Sequence, residues 1–418
     1  MALGMEAAIV AAIRLHFAIR YAAKSRQATM PTPATHPDPR GYLPALTGLR
    51  AFAALLVLVL HANQNFSNAL SNNLLFVHRG YLGVDLFFVL SGFIIAHVYM
   101  RQIVPLRAKA LRFFLWHRFV RLFPAHAAVL IGLIALILVV QRLGIPLNSK
   151  DGWDFHDLPW HFLLLHAWGV TETASWNAPS WSISAEWFAY LLFPAVAFGA
   201  LALPRRTALP LAVVTIVLTA IVFDLAGWDV GAAWVGLPAL ARVGGEFTCG
   251  VFLYRAANLD GIQWLTRGAA DLVTFGGLLG FLAGASLRAH DFVLIASLAV
   301  FILGVSAAGP LTRSIFARGP VVWLGEISYS IYIVHFPVLL VLRHGAERIF
   351  AAHLAAMPLV AFLVSVAIVI AAAAILFYAV ENPARRRLRN VFGKIEPVPV
   401  TSAPMPADNA IADRIRVR

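Results

Sequence analysis

The stretch Leu359–Val380, LVAFLVSVAIVIAAAAILFYAV, runs for 22 residues without a charge. As a helix at ~1.5 Å per residue it reaches ~33 Å, enough to cross a hydrocarbon core of ~30 Å. Its apolar residues do not alternate with polar ones, so it does not read as a barrel strand of ~10 residues and period two. Comparable runs recur along the chain, among them Ala127–Val140. Of the 418 residues 60% are hydrophobic and 13% charged, far from the balance of a soluble domain. The fold class that follows is an all-α polytopic membrane protein of about ten transmembrane helices, at about 46–64, 80–100, 121–141, 182–203, 208–226, 236–254, 268–287, 291–308, 320–343 and 354–380.

The formal charge of +13 reports orientation before it reports a partner, and no nucleic acid is expected. With ten spans and a cytoplasmic N-terminus, 26 of the 33 Lys and Arg fall inside and six outside, with Arg242 within a span. Both termini are therefore expected in the cytoplasm. Residues 158–170, with His161, His166, Trp160 and Trp168, are too short for a crossing and read as an interfacial or re-entrant segment on the outer side. The single cysteine, Cys249, excludes an intramolecular disulfide and a thiolate metal cluster. Three regions follow. Residues 1–44 form a basic segment with an amphipathic stretch at 5–23, suited to membrane lipids, and a Pro-rich linker. Residues 45–387 form the transmembrane domain, and residues 388–418 a disordered cytoplasmic tail.

Ionisable side chains inside spans are costly, so those that persist point to partners or function. Arg50 and His61 lie eleven positions apart on the first span, on one helix face and ~16 Å apart along the axis. Asp85, early in the second span, lies at a depth similar to His61. Two readings stand for it: a carboxylate orienting the imidazole, or one paired to Arg79 or a backbone amide. Ser91-Gly92 reads as a close-packing site. Arg118 and Arg121, at i and i+3, can fork onto phosphate oxygens or simply set orientation. Ser182 and Glu186 resemble a helix cap with an acidic first turn, and Glu186 in its aromatic setting is also a candidate for proton exchange. Glu326 and Tyr329, like Tyr332 and His335, are helical neighbours at i+3. The ionisable groups thus form two layers, arginines within and His, Asp and Glu without.

Five segments in this order resemble the acyltransferase-3 family of bacterial membrane O-acyltransferases over residues 43–387. They are Arg50 with His61; Gly83-Val-Asp85-Leu-Phe-Phe-Val-Leu-Ser91-Gly-Phe; Arg118-x-x-Arg121-x-x-Pro124; Trp181-Ser-x-x-x-Glu186; and Ser328-Tyr329-x-x-Tyr332-x-x-His335. The resemblance implies transfer of an acyl group, commonly acetyl, from cytoplasmic acyl-CoA to a hydroxyl of a carbohydrate or glycolipid acceptor, such as a surface or exported polysaccharide. By the same likeness Arg50, Arg118 and Arg121 bind the donor, His61 acts in the transfer, and no metal is expected. His61 then serves as a base toward the acceptor hydroxyl, with Asp85, Glu186 and His335 as further catalytic candidates, or carries the acyl group itself. The rival class is a transporter or flippase of a lipid-linked sugar, which commonly shows paired repeats; none is seen here. Acylation of a small non-sugar metabolite is the other alternative.

Overall fold

A computed structural model describes residues 43–65, 70, 74–103, 106–145, 151–257, 267–349, 357–389 and 391. The expected amphipathic stretch at 5–23, the Pro-rich linker as far as residue 42 and the tail from 392 onward lie outside the described residues.

The described chain is helical, with no strand among those residues. Helix α1 (Pro44–Asn65) is followed by a 3-10 stretch, Leu75–Leu82, that leads into α2 (Gly83–Ile103). Next come α3 (Ala108–Arg142), the one-turn α4 (Leu158–Phe162), α5 (Trp181–Ala202), α6 (Ala208–Ala226) and α7 (Gly236–Ala257). Then follow α8 (Arg267–Ser286), α9 (Asp291–Ala307), α10 (Pro310–Phe316), α11 (Gly319–Glu326) and α12 (Ser328–Ile349). The last are α13 (Pro358–Leu376), a π turn at Phe377–Glu381, and α14 (Asn382–Leu388).

Among the described residues seven helices are long and apolar enough to cross a bilayer, or nine if each bent pair, α9 with α10 and α11 with α12, makes one span. Helix α7 fills the remaining expected place. Its 22 residues suffice in length, and its composition is diluted by Arg242 and Glu246, both buried in the bundle. It is less apolar than those seven helices, and the pairing of Arg242 to Asp85 on α2 makes it tolerable in lipid.

Helix α7 also packs unusually close to α2. A Cβ at Gly92 would fall on the carbonyl oxygen of Phe247, and one at Gly250 on that of Val89. Two glycines on facing helices let the backbones touch, the small-residue contact that drives helix association in a bilayer, where the hydrophobic effect between helices is absent. The ninth expected span is bent by 63° between Glu326 and Ser328. Glu326 is exposed at the end of α11 and Tyr329 is buried on α12, so the continuous helix expected to carry both is broken between them.

Residues 158–170 do not cross. They make one helical turn and then tight turns, held to α5 by Ser184 Oγ donating to the Leu164 carbonyl at 2.8 Å and Trp168 Nε1 donating to the Ser184 carbonyl at 3.0 Å.

Candidate active site

Helix α1 presents its two ionisable residues to two different cavities. Arg50 opens into a cavity of about 130 Å³ that Arg118, Arg121, Ser91, Glu186, Tyr190 and Tyr329 also line. His61 opens into one of about 450 Å³ lined by Gln64, Tyr81, Trp181, Trp234, Arg242 and Phe336. The two-layer pattern expected from the sequence holds for Arg50 and His61 but not throughout: Glu186, expected in the outer layer, lines the first, the arginine chamber, and Arg242 lines the second, the histidine chamber. Val84 and Tyr332 line both.

In the arginine chamber the three expected cations are not equivalent. Arg121 is ion-paired to Glu381, which also accepts from Ser330 Oγ at 2.7 Å and lies 3.5 Å from Arg385. The sequence reading ended the last span one residue short of Glu381. The π turn at Phe377–Glu381 adds a residue to the helix and accompanies the inward burial of this carboxylate, a placement that regular helical spacing does not predict. Arg118 donates to the Tyr99 hydroxyl at 2.9 Å and stacks over Tyr99 and Tyr190 at 5.0 and 5.9 Å, with its Nε buried and unpaired. Arg50 makes no hydrogen bond or ion pair among the described residues and keeps its donors for whatever enters the chamber. Across from it Glu186 Oε1 accepts from Ser91 Oγ at 2.7 Å and from the Tyr190 hydroxyl at 2.6 Å. Gly92 packs helices as expected, whereas Ser91 is drawn into this polar cluster.

Ser182 does not cap α5, contrary to the sequence reading. It is the second residue of the helix, and its hydroxyl donates to the Tyr332 oxygen at 2.7 Å and lies 3.1 Å from the Pro179 carbonyl.

In the histidine chamber His61 Nδ1 lies 2.9 Å from the Val57 carbonyl, one turn back on the same helix. A carbonyl only accepts, so the proton sits on Nδ1 and the Nε2 lone pair is left free. Asp85 does not supply this orientation. Its carboxylate is clamped by Arg242 on α7, with Nε at 2.8 Å and Nη2 at 2.6 Å, while Arg242 Nη1 donates to the Val230 carbonyl at 2.7 Å. Neither sequence reading of Asp85, toward His61 or toward Arg79, named that partner, and Arg79 pairs instead with Asp291 at 2.6 Å. The guanidinium of Arg242 lies over the Trp181 ring at 5.1 Å, so the ion pair stiffens a chamber wall.

His335 lies beside His61, with ring centroids 4.9 Å apart. Its Nδ1 bonds the Tyr332 carbonyl at 2.5 Å and its Nε2 is buried without a partner. Two residues on, Pro337 has no N–H to give the Ile333 carbonyl. Asn177 Nδ2 donates to that carbonyl instead, at 2.8 Å, which ties the segment before α5 to α12 at the level of His335.

A second group of imidazoles sits apart from both chambers. His161 and His166 stack at 3.9 Å, with His126 at 6.4 and 5.8 Å from them. Burial, and then the neighbouring His126, push His161 down to about 3, and burial with the same neighbours holds His166 well below the usual imidazole range. Neutral stacked rings do not converge on a point, and no group of three or more His, Cys, Asp or Glu among the described residues could hold a metal ion.

A helical membrane bundle that opens an arginine chamber and a histidine chamber off one helix has the parts of an integral-membrane enzyme. The chain belongs to the acyltransferase-3 family, whose Acyltransferase domain matches residues 43–378. It is 29% identical over 402 residues to Acyltransferase MdmB of Streptomyces mycarofaciens, covering 87% of this chain and 96% of that protein. It is 25% identical over 325 residues to Peptidoglycan O-acetyltransferase OatA of Listeria monocytogenes, and 23% identical over 375 residues to O-acetyltransferase OatA of Staphylococcus aureus. Those alignments take 72% and 83% of this chain but only 50% and 58% of the two relatives, so the chain spans about half their length. No solved structure matches significantly. The protein is a multi-pass membrane acyltransferase.

Proposed function

We propose that this acyltransferase takes an acyl group, acetyl in the simplest case, from acyl-CoA bound on the cytoplasmic side and transfers it to a hydroxyl of a carbohydrate acceptor outside, in a bacterial inner membrane. The observation that carries the reading is Arg50: a guanidinium without hydrogen-bond or ion-pair partners among the described residues, facing a cavity on the same helix as His61. A guanidinium in a membrane span whose donors are not taken up by hydrogen bonds suits an anion, and the donor's phosphates supply one. The two arginines with protein partners divide the remaining work: Arg118 offers its spare donors, and Arg121 is held by Glu381.

In this reading His61 Nε2 takes the proton from the acceptor hydroxyl as its oxygen bonds to the acyl carbon. Glu186, with two hydroxyls on one oxygen, is placed to exchange a proton with the departing sulfur. His335 and the Asp85–Arg242 pair set the shape of the histidine chamber. Trp181, Trp234 and Tyr81 give that chamber flat faces of the kind on which a sugar ring packs, and the name of the Listeria relative, a peptidoglycan O-acetyltransferase, supports a glycan acceptor. Purified protein supplied with acetyl-labelled acetyl-CoA and a glycan acceptor should release free coenzyme A and label the glycan. Movement of a lipid-linked sugar across vesicles without thioester turnover would return the chain to the transporter class.

A further inference from the structure

The two chambers share two wall residues, Val84 and Tyr332, both buried. Val84 is an aliphatic side chain with no directional bonds. Tyr332 is different: its hydroxyl donates to the Pro179 carbonyl at 2.8 Å and accepts from Ser182 at 2.7 Å, which fixes the ring between the cavities. Pro179 lines the histidine chamber and Ser182 the arginine chamber, so the phenol is anchored once on each side. The ring also touches Phe87 at 6.2 Å and His335 at 5.7 Å between centroids.

We infer that Tyr332 is a septum between the donor and acceptor chambers, a positioning residue that must swing aside for the acyl group to meet its acceptor. The inference rests on reading the arginine chamber as the donor's and the histidine chamber as the acceptor's. The transfer itself joins the acceptor oxygen to the thioester carbon and breaks the carbon–sulfur bond. The hydroxyl proton passes through His61 and then Glu186 to the sulfur, which leaves as the thiol. Water is the competing nucleophile for that carbon, and a shut septum keeps the thioester from water in the larger chamber until an acceptor fills it. A hydroxyl held by two neutral hydrogen bonds suits such a part, since two contacts of ordinary strength hold a ring in place without locking it.

The test has two arms. In the first, a cysteine replaces Ile94, which lines the arginine chamber alone, in a Cys249→Ser background reconstituted in oriented vesicles. A small charged methanethiosulfonate reagent should label Ile94→Cys from the Arg50 side only, and from both sides once Tyr332→Ala is added. Labelling from both sides with Tyr332 present, or from one side without it, overturns the septum whatever the donor is. In the second arm, acetyl-CoA is supplied without acceptor. At saturating acetyl-CoA, Tyr332→Ala should raise thioester hydrolysis by about tenfold or more, and Tyr332→Phe, which keeps the ring and loses both anchors, should raise it less. Hydrolysis at the wild-type level in both variants overturns the inference. If wild-type protein fails to bind acetyl-CoA, the donor reading falls, and the labelling arm still decides the septum. Tyr332→Phe keeps the packing volume and so carries the test should the alanine variant not fold.

Discussion

Arg242 on α7 grips both carboxylate oxygens of Asp85 on α2, at 2.8 and 2.6 Å, with the arginine 1% and the aspartate 0% exposed. The pair closes across the same interface where Gly92 and Gly250 let the two backbones touch, and it accounts for a cation in the middle of a membrane helix. Removing one partner leaves a charge sealed in a low-dielectric interior.

Arg242→Ala is therefore expected to cost about 3–5 kcal/mol of stability, seen as a lower unfolding midpoint in detergent or as failure to accumulate. The joint change Asp85→Leu with Arg242→Met removes both charges at similar volume and should recover most of that loss. An Arg242→Ala protein as stable as wild type would show that the pair is not holding α2 to α7.

The donor site gives a graded expectation. Arg50→Ala should weaken coenzyme A binding ten- to hundredfold, roughly 1.5–3 kcal/mol for lost charge-assisted contacts, with little change in stability because Arg50 has no hydrogen-bonding or ion-pairing partner among the described residues to strand. Arg121→Ala should instead lower stability, since buried Glu381 loses its closest cation and keeps only Ser330 and the more distant Arg385, and should weaken binding less. Titration calorimetry and thermal unfolding on the same samples separate the two. Equal losses of affinity with both proteins fully stable would put Arg121 back among the phosphate ligands.

The fold was legible because lipid imposes a length and a composition that the sequence must show, and ten helical segments stand where the apolar runs predict them. What hid was pairing between distant segments. Arg242 could be seen as a charge within a span, but nothing in its neighbourhood names Asp85, 157 residues away. Glu381 lay just past the end of an apolar run, and the π turn behind it has no periodic signature. The bend between Glu326 and Ser328 was equally silent, since Gly325 alone permits a break without demanding one. Arg50, His61 and His335 stand out in the sequence because each is a polar residue that lipid would otherwise expel. That His61 and His335 touch was not, because helices one and nine in the sequence order carry no local trace of being neighbours.

The histidine group beside α4 sets a pH dependence of its own. Unfolded, His161 titrates near the usual imidazole value of 6.5; folded, burial and then His126 push it down to about 3. Between those values the unfolded chain binds a proton that the folded chain refuses. The stability is fully present above about pH 6.5 and is lost as pH falls toward 3, at about 1.4 kcal/mol per pH unit for each such group. His166 acts in the same direction. The unfolding midpoint in detergent should drop steadily below pH 6.5, and His161→Gln should flatten the slope. A midpoint as steep in His161→Gln as in wild type would mean that other groups set the acid limb.

His61 carries the sharpest expectation. Its Nδ1 proton is committed to the Val57 carbonyl, which leaves Nε2 as the free lone pair opening into the histidine chamber. Arg50 lies ~16 Å away along the same helix, so His61→Ala should bind acyl-CoA almost as wild type does. It should nevertheless lose acceptor acylation by a factor of about 10²–10⁴, the usual contribution of a positioned base. His335 is not an independent control, because the two rings face each other at 4.9 Å. Its Nδ1 is tied to the Tyr332 carbonyl and its Nε2 is buried, so His335→Ala removes a neighbour of the base and not the base itself. Its turnover should fall by less than that of His61→Ala, and the double variant should be no worse than His61→Ala alone, since a neighbour has nothing to assist once the base is gone. If His61→Ala turns over normally while His335→Ala is inactive, the roles are exchanged. The acceptor's proton then goes to α12.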